Sequence, residues 1–156
     1  MNSSSANGFQ VFHLHDSSHS RLNTPYVNGA SAGAWVAGQN TVGEWIQVDF
    51  IEMQTVESVA TQGRNKADTS QWVTSYKVTY RDDDNLPLSY VLDIDGNERV
   101  FVGNSDRDTV LVNLFGSSVT ARYFRLYPQS WNVHMSMRWE LYACKLGEIN
   151  STMILD

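Results

Sequence analysis

Short runs rich in β-branched and aromatic residues recur along the chain at roughly 8–12-residue intervals, with polar or Gly-containing turns between them. That is the rhythm of an antiparallel sandwich or barrel. The pattern predicts strands over residues 9–15, 45–50, 56–62, 72–80, 89–94, 99–102, 109–114, 123–127 and 135–142. Side chains alternate along a strand, so Trp72, Thr74, Tyr76, Val78 and Tyr80 should share the core face, with Val73, Ser75, Lys77 and Thr79 on the other. Asp95-Gly96 lies between two such runs and reads as a hairpin turn, because Gly tolerates the positive φ that type I′ turns require. The chain carries no internal repeat and no long low-complexity linker. Residues 9–146 therefore read as one domain, with 1–8 as a flexible N-terminal segment and 147–156 as a C-terminal tail or linker.

Composition supports an all-β reading and narrows the partners. At 156 residues and 42% hydrophobic content, one domain can bury a core without cross-links, and Ser, Thr, Asn and Gly suit strands and turns better than helices. The formal net charge of −6, with no basic patch, disfavours nucleic acid as a partner. No run of about 18 apolar residues occurs, so no membrane-spanning helix is expected. The opening Met1-Asn2-Ser3-Ser4-Ser5 lacks the basic and apolar regions of a signal peptide. A mature fragment, a fragment begun by an added Met1, and export without a leader all stay open. Cys144 is the one cysteine, so neither an internal disulfide nor a multi-cysteine zinc site is available; the thiol is free or bridges two molecules.

Four segments in order resemble the discoidin family, the coagulation factor V/VIII type C domain. They are Gly43-Glu44-Trp45-Ile46-Gln47-Val48-Asp49-Phe50, Thr61-Gln62-Gly63-Arg64, Gln71-Trp72-Val73-Thr74-Ser75-Tyr76-Lys77-Val78 and Ala121-Arg122-Tyr123-Phe124-Arg125-Leu126. A fifth, Met135-Ser136-Met137-Arg138-Trp139-Glu140-Leu141-Tyr142-Ala143-Cys144, is similar to the family's closing strand. The resemblance covers about residues 9–144. It implies a galactose-binding-like jellyroll β-sandwich of two antiparallel sheets, placed outside the cell or at its surface, with ligand loops at one end. Two departures stand out. Most members pair an early cysteine with the counterpart of Cys144, and none precedes it here. Only His19 and Ser20 separate His13-Leu14-His15-Asp16-Ser17-Ser18 from Arg21-Leu22-Asn23, where many members carry a longer spike with lipid-entering tips.

Several side-chain groupings bear on chemistry. His13, His15 and His19 offer imidazoles for zinc or copper but lack a well-spaced fourth ligand, and a polar strand face leading into a loop is the favoured reading. Arg81-Asp82-Asp83-Asp84-Asn85 clusters oxygens without the ligand spacing of a helical calcium loop and reads as a solvated turn. No cofactor is expected; a structural calcium ion in a loop stays open. Neither a nucleophile elbow nor a His-Glu-x-x-His motif is present, so no enzyme is expected. Asp49, Arg122, Arg125 and Arg138 sit in or at the ends of apolar strands and read as structural ion pairs.

The loops 23–28, 39–43, 64–71 and 129–134, which the resemblance gathers at one end, form the expected ligand wall. Asn40, Arg64, Asp68, Asn132 and His134 are the candidate polar contacts, and Trp131 the stacking platform, since sugar hydroxyls need paired donors and acceptors while sugar C–H faces pack on rings. A glycan of galactose type or a cell-surface glycoprotein is the favoured partner. A protein receptor and a phosphatidylserine headgroup are the alternatives, the latter weakened by the polar tips at 23–26 and 65–69. A shallow sugar site binds near 1 mM, about −4 kcal/mol, so adhesion calls for an oligomer or a multidomain parent.

Overall fold

The structure is a computed structural model that describes residues 2–3 and 19–143. Every regular element of note among them is a strand: β1 (Asn2–Ser3), β2 (Tyr26–Val27), β3 (Ser31–Ala32), β4 (Trp35–Val36), β5 (Ile46–Gln62), β6 (Trp72–Arg81), β7 (Ser89–Tyr90), β8 (Phe101–Val102), β9 (Leu111–Asn132) and β10 (Ser136–Ala143). Pairings are antiparallel, in the order β4-β10-β5-β9-β6-β7, with β2 and β3 as a separate hairpin.

Two long strands turn this path into a sandwich. The first half of β5 pairs Ile46 with Leu126 and Asp49 with Tyr123; its second half pairs Ser58 with Leu114 and Thr61 with Leu111. Register shifts between Asp49 and Gln54 and between Val56 and Ser58 separate the halves. Ile51 (φ 69°) and Gly116 (φ 90°) lie at these breaks, where extra residues bend a strand and let one chain serve both layers. The sequence pattern divides each long strand into two: 45–50 with 56–62, and 109–114 with 123–127. Both halves are strands in the structure; the intervening residues bend without ending the strand.

The alternation expected for β6 holds over Tyr76, Lys77 and Val78, with Tyr76 and Val78 fully buried; beyond them Thr79 is buried as well and Tyr80 half-buried, and before Tyr76 the pattern fails. Val73 is in the core, whereas Trp72 and Thr74 are only half-buried. The cause is a pair of register shifts against β9, where Val73 faces Trp131, Ser75 faces Ser130 and Tyr76 faces Pro128. A one-residue slip moves every earlier side chain to the opposite face, and Pro128 has no N–H with which to keep the ladder regular. The stretches 89–94 and 99–102 shrink to β7 and β8, both paired with β6. Gly96 (φ 82°) makes the expected turn between them, with the Asp93 carboxylate accepting from the amides of Asp95 and Asn97.

Between the layers, Tyr76, Phe101, Phe115 and Phe124 form a continuous row with ring centroids 5.4, 5.8 and 6.4 Å apart. Trp35, Trp139, Met135, Met137, Ile46 and Leu126 fill the rest of the core. Burying large side chains of this kind supplies about 1.5–3 kcal/mol each. The segment 9–15, His13, His15 and Cys144 lie outside the described residues.

Candidate ligand-binding end of the sandwich

The C-termini of β5 and β9 and the N-termini of β6 and β10 meet at one end, so the segments beyond them become neighbours. Side-chain amides tie those segments together. Asn40 donates to Val133 O (3.2 Å) and accepts from the Met135 amide (2.9 Å), which joins 37–43 to the β9–β10 turn. Asn132 donates to Ser70 O at 2.6 Å, and Asn65 Oδ1 accepts from the Tyr26 amide at 3.1 Å. Gly33, at φ 71°, lies so close to the 64–66 loop that a Cβ there would sit 2.4 Å from Asn65 O.

A fifth loop, 103–109, belongs to this end although the sequence pattern gives no sign of it. Gln62 donates to Asp108 O (2.7 Å), Asn65 to Asp108 Oδ1 (3.0 Å) and Arg107 to Lys66 O (2.9 Å). Asp106 holds the loop by accepting from the amides of Thr109 and Asp108, and these bonds keep its carboxyl below the usual range. Arg138 is the hub beneath. It is 2% exposed, and its guanidinium donates to Gly63 O (2.7 Å), Arg107 O (2.6 Å), Thr24 O (3.5 Å) and Asp108 Oδ1 (3.2 Å). It is a structural charge, as its place in an apolar strand suggests. So is Arg122, which grips Asp49 with two bonds of 2.7 and 2.8 Å and holds that carboxyl at about 2. Arg125 differs from the expected ion pair: it stacks 3.8 Å from the Trp45 ring centroid and donates to the Gln47 amide oxygen.

Arg64 follows β5 and turns under the β2–β3 hairpin. It is 8% exposed, with Nε donating to Ala32 O (2.9 Å) and Nη1 to Gln71 Oε1 (2.8 Å). Burial pushes its pKa down, and the charges of Tyr26 and Asp68 oppose that only from a distance. Above it opens a hollow of about 180 Å³ lined by Tyr26, Asn28, Ser31, Ala32, Arg64 and Lys66, together with Val27 and Gly29. Lys66 Nζ stands 5.4 Å from the Tyr26 ring centroid and 3.4 Å from the Asp68 carboxylate. A guanidinium, an ammonium, an aromatic ring and backbone carbonyls thus converge on a space that takes one small ring, well below the roughly 300–1,000 Å³ of drug-sized sites.

Of the six candidate contacts, Arg64 alone lines this hollow; Asp68 stands at its rim through Lys66. Asn40 and Asn132 spend their amides on the loop stitches described above. His134 is half-buried beside Met135, its Nδ1 lying 3.3 Å from Met135 O. Trp131 packs partly buried against the core, opposite Val73, which leaves its ring little freedom as a stacking platform. Lys66 was not among the candidates; its proximity to Tyr26 arises from a contact across 40 residues that no local pattern displays. Among the described residues, no cluster of three or more His, Cys, Asp and Glu side chains is arranged to hold a metal ion.

An antiparallel jellyroll sandwich with a polar hollow among its end loops defines a binding module of the galactose-binding-like class. The F5/8 type C domain model matches residues 2–141, and the chain belongs to that family. Mouse (Mus musculus) retinoschisin is 40% identical over 111 residues, 71% of this chain and 49% of that protein. The chain spans about half the length of the retinoschisins it matches. Discoidin II from Dictyostelium discoideum superposes with a TM-score of 0.74 at 29% identity, covering 91% of this chain and 53% of that one. A family 32 carbohydrate-binding module from C. perfringens, solved in complex with galactose, shares the fold with a TM-score of 0.54 at 14% identity, over 89% of this chain and 91% of that one.

Proposed function

We propose that this domain is a non-enzymatic recognition and adhesion module, working outside the cell or at its surface, that holds a glycan of galactose type in the loop-end hollow. The observation that carries this reading is Arg64 at the floor of the hollow. Of the five N–H donors of a guanidinium, two are committed to Ala32 and Gln71, and the others have no partner among the described residues. Sugar hydroxyls satisfy such donors while the ring rests against Tyr26 and the hairpin backbone. An adhesive role would call for several copies, because a single small hollow binds weakly. An oligomer or a multidomain parent supplies them, in keeping with a relative of which the chain spans about half.

A second reading has its own observation. Val27, Val42 and Val133 protrude from three of the end loops with 47%, 65% and 70% exposure. Apolar tips on the end loops also suit a phosphatidylserine surface or a protein receptor. A glycan array run beside phosphatidylserine vesicles separates these. Array hits that are lost in Arg64→Gln support the glycan reading; vesicle binding without array hits, lost when the three valines become Ser, overturns it.

A further inference from the structure

The charge around the hollow carries the glycan reading further, and the inference rests on that reading. Two buried arginines lie at this end. Arg138 has a carboxylate on it, Asp108 Oδ1 at 3.2 Å. Among the described residues Arg64 has none within ion-pairing distance: its bound acceptors are a carbonyl and an amide oxygen, both neutral. A guanidinium taken out of water without a counter-charge is costly, and the chain tolerates that cost at the floor of an open hollow. Among the described residues, Lys66 is the only other charged residue lining the space, and it too is a cation; none of the lining residues carries a carboxylate. Asp68 neutralises Lys66 from the rim at 3.4 Å, but with its side chain 73% exposed it is a solvated, displaceable partner. The protein as a whole is negative, at −6. Its overall field therefore does not attract anions, and any preference for one arises within the roughly 8 Å over which charges act in physiological salt.

We infer that the hollow is built for an acidic sugar, a hexuronate-type residue whose ring carboxylate sits between the unspent N–H groups of Arg64 and the Lys66 ammonium and displaces Asp68. The geometry divides the work. Arg64 offers a fixed planar fork to the carboxylate, Lys66 adds a mobile point charge, and Tyr26 with the hairpin backbone bounds the ring. Among galactose-configured sugars this names galacturonate, which differs from galactose only in carrying a carboxylate in place of the C6 hydroxymethyl group.

The test compares methyl galacturonoside with methyl galactoside by calorimetric or NMR titration of the whole chain. The expected result is binding of the acidic sugar about 10-fold or more tightly, the change associated with a hydrogen bond to a charged group. Lys66→Gln should narrow the ratio without abolishing it, since the Arg64 fork remains, and Asp68→Asn, which removes the competing anion from an exposed position, should widen it. Added salt should weaken the acidic sugar and leave the neutral one unchanged. Equal or tighter binding of the galactoside overturns the charge inference and leaves the glycan reading standing. Failure of both sugars, with no hit on a glycan array, overturns the glycan reading and the inference together. Binding only to phosphatidylserine vesicles, weakened by Lys66→Gln, overturns both in favour of a lipid headgroup.

Discussion

Arg138 and Arg64 stand at the same end of the sandwich, both nearly removed from solvent, and their surroundings differ in the way that separates scaffold from site. Arg138 is 2% exposed and its bonds reach three different loops, at Thr24, Gly63 and the Arg107-Asp108 pair. Arg64 is 8% exposed and bonds two neutral oxygens below it, with its remaining donors toward an open hollow. In both, burial lowers the pKa. In Arg138 a hydrogen-bonded carboxylate opposes that effect, whereas in Arg64 only distant charges do. A buried charge whose bonding is completed by the fold contributes to the fold; one whose bonding is left incomplete is maintained at a cost to stability. On that difference Arg138 is a structural residue, and Arg64 is the one proposed to meet a ligand.

The largest effect should follow from breaking the completed one. Arg138→Met strips donors from three loop carbonyls at once, and the domain should lose about 3 kcal/mol or more, with Tm lower by roughly 6–12 °C. Thermal unfolding of the purified chain measures this; an unchanged Tm would mean that the three loops hold together without their hub. Next comes the wall of the hollow. Gly33→Ala brings a Cβ to 2.4 Å from Asn65 O at a φ that disfavours any other residue, which should cost about 1–3 kcal/mol and weaken binding as the hairpin moves from Arg64. Denaturant unfolding and a sugar titration on the same sample give both numbers.

Arg64→Met sharpens the comparison, because it should change stability by less than about 1 kcal/mol in either direction. Two hydrogen bonds are lost, and the desolvation cost of an uncompensated charge is relieved. Binding should fall about 10-fold or more. A large drop in Tm for this variant would place Arg64 with Arg138 as a structural residue. The smallest effect lies at the opposite end. Arg122 beside Asp49 holds that carboxyl at about 2, below its ordinary value of 3.8. A depressed carboxyl adds stability above its unfolded pKa and loses it as pH falls through the folded one. The contribution should therefore fade between about pH 4 and pH 2. At a pair this exposed it is less than about 1 kcal/mol, and Asp49→Asn should flatten that part of the acid-unfolding curve.

Much of the fold was legible because the core strands obey a local rule. Tyr76 and Val78 are buried as their alternation implies, and Gly96 turns where Asp95-Gly96 says it should. The exceptions come from non-local events. The face of β6 flips before Tyr76 because of the register of its partner strand at Pro128, which nothing within 72–80 reveals. Of the candidate site, Arg64 is legible as a long cation following an apolar strand, and Asp68 is nearby on the same loop. Lys66 and the 103–109 loop are not, since their importance comes from packing against Tyr26 and Arg138, far away in sequence. Trp131 and Asn132 are candidate ligand contacts from the loop placement that the resemblance implies and from the chemistry of their side chains. In three dimensions the ring is used in packing and the amide in a loop stitch, uses that residue type does not distinguish from binding.

The most direct measurement of the central claim, that the hollow beneath the β2–β3 hairpin holds the ligand, is a chemical-shift map. The 15N-labelled chain would be titrated with methyl galactoside and methyl galacturonoside to concentrations well above about 1 mM, the expected scale of a single weak site. The account predicts saturable shifts in the amides of residues 26–33 and 64–68 and in the Arg64 side-chain Nε–H, while Asp49 and Arg122 at the far end stay still. Shifts centred on the far end or on an outer sheet face, or no shifts with either sugar, would contradict it.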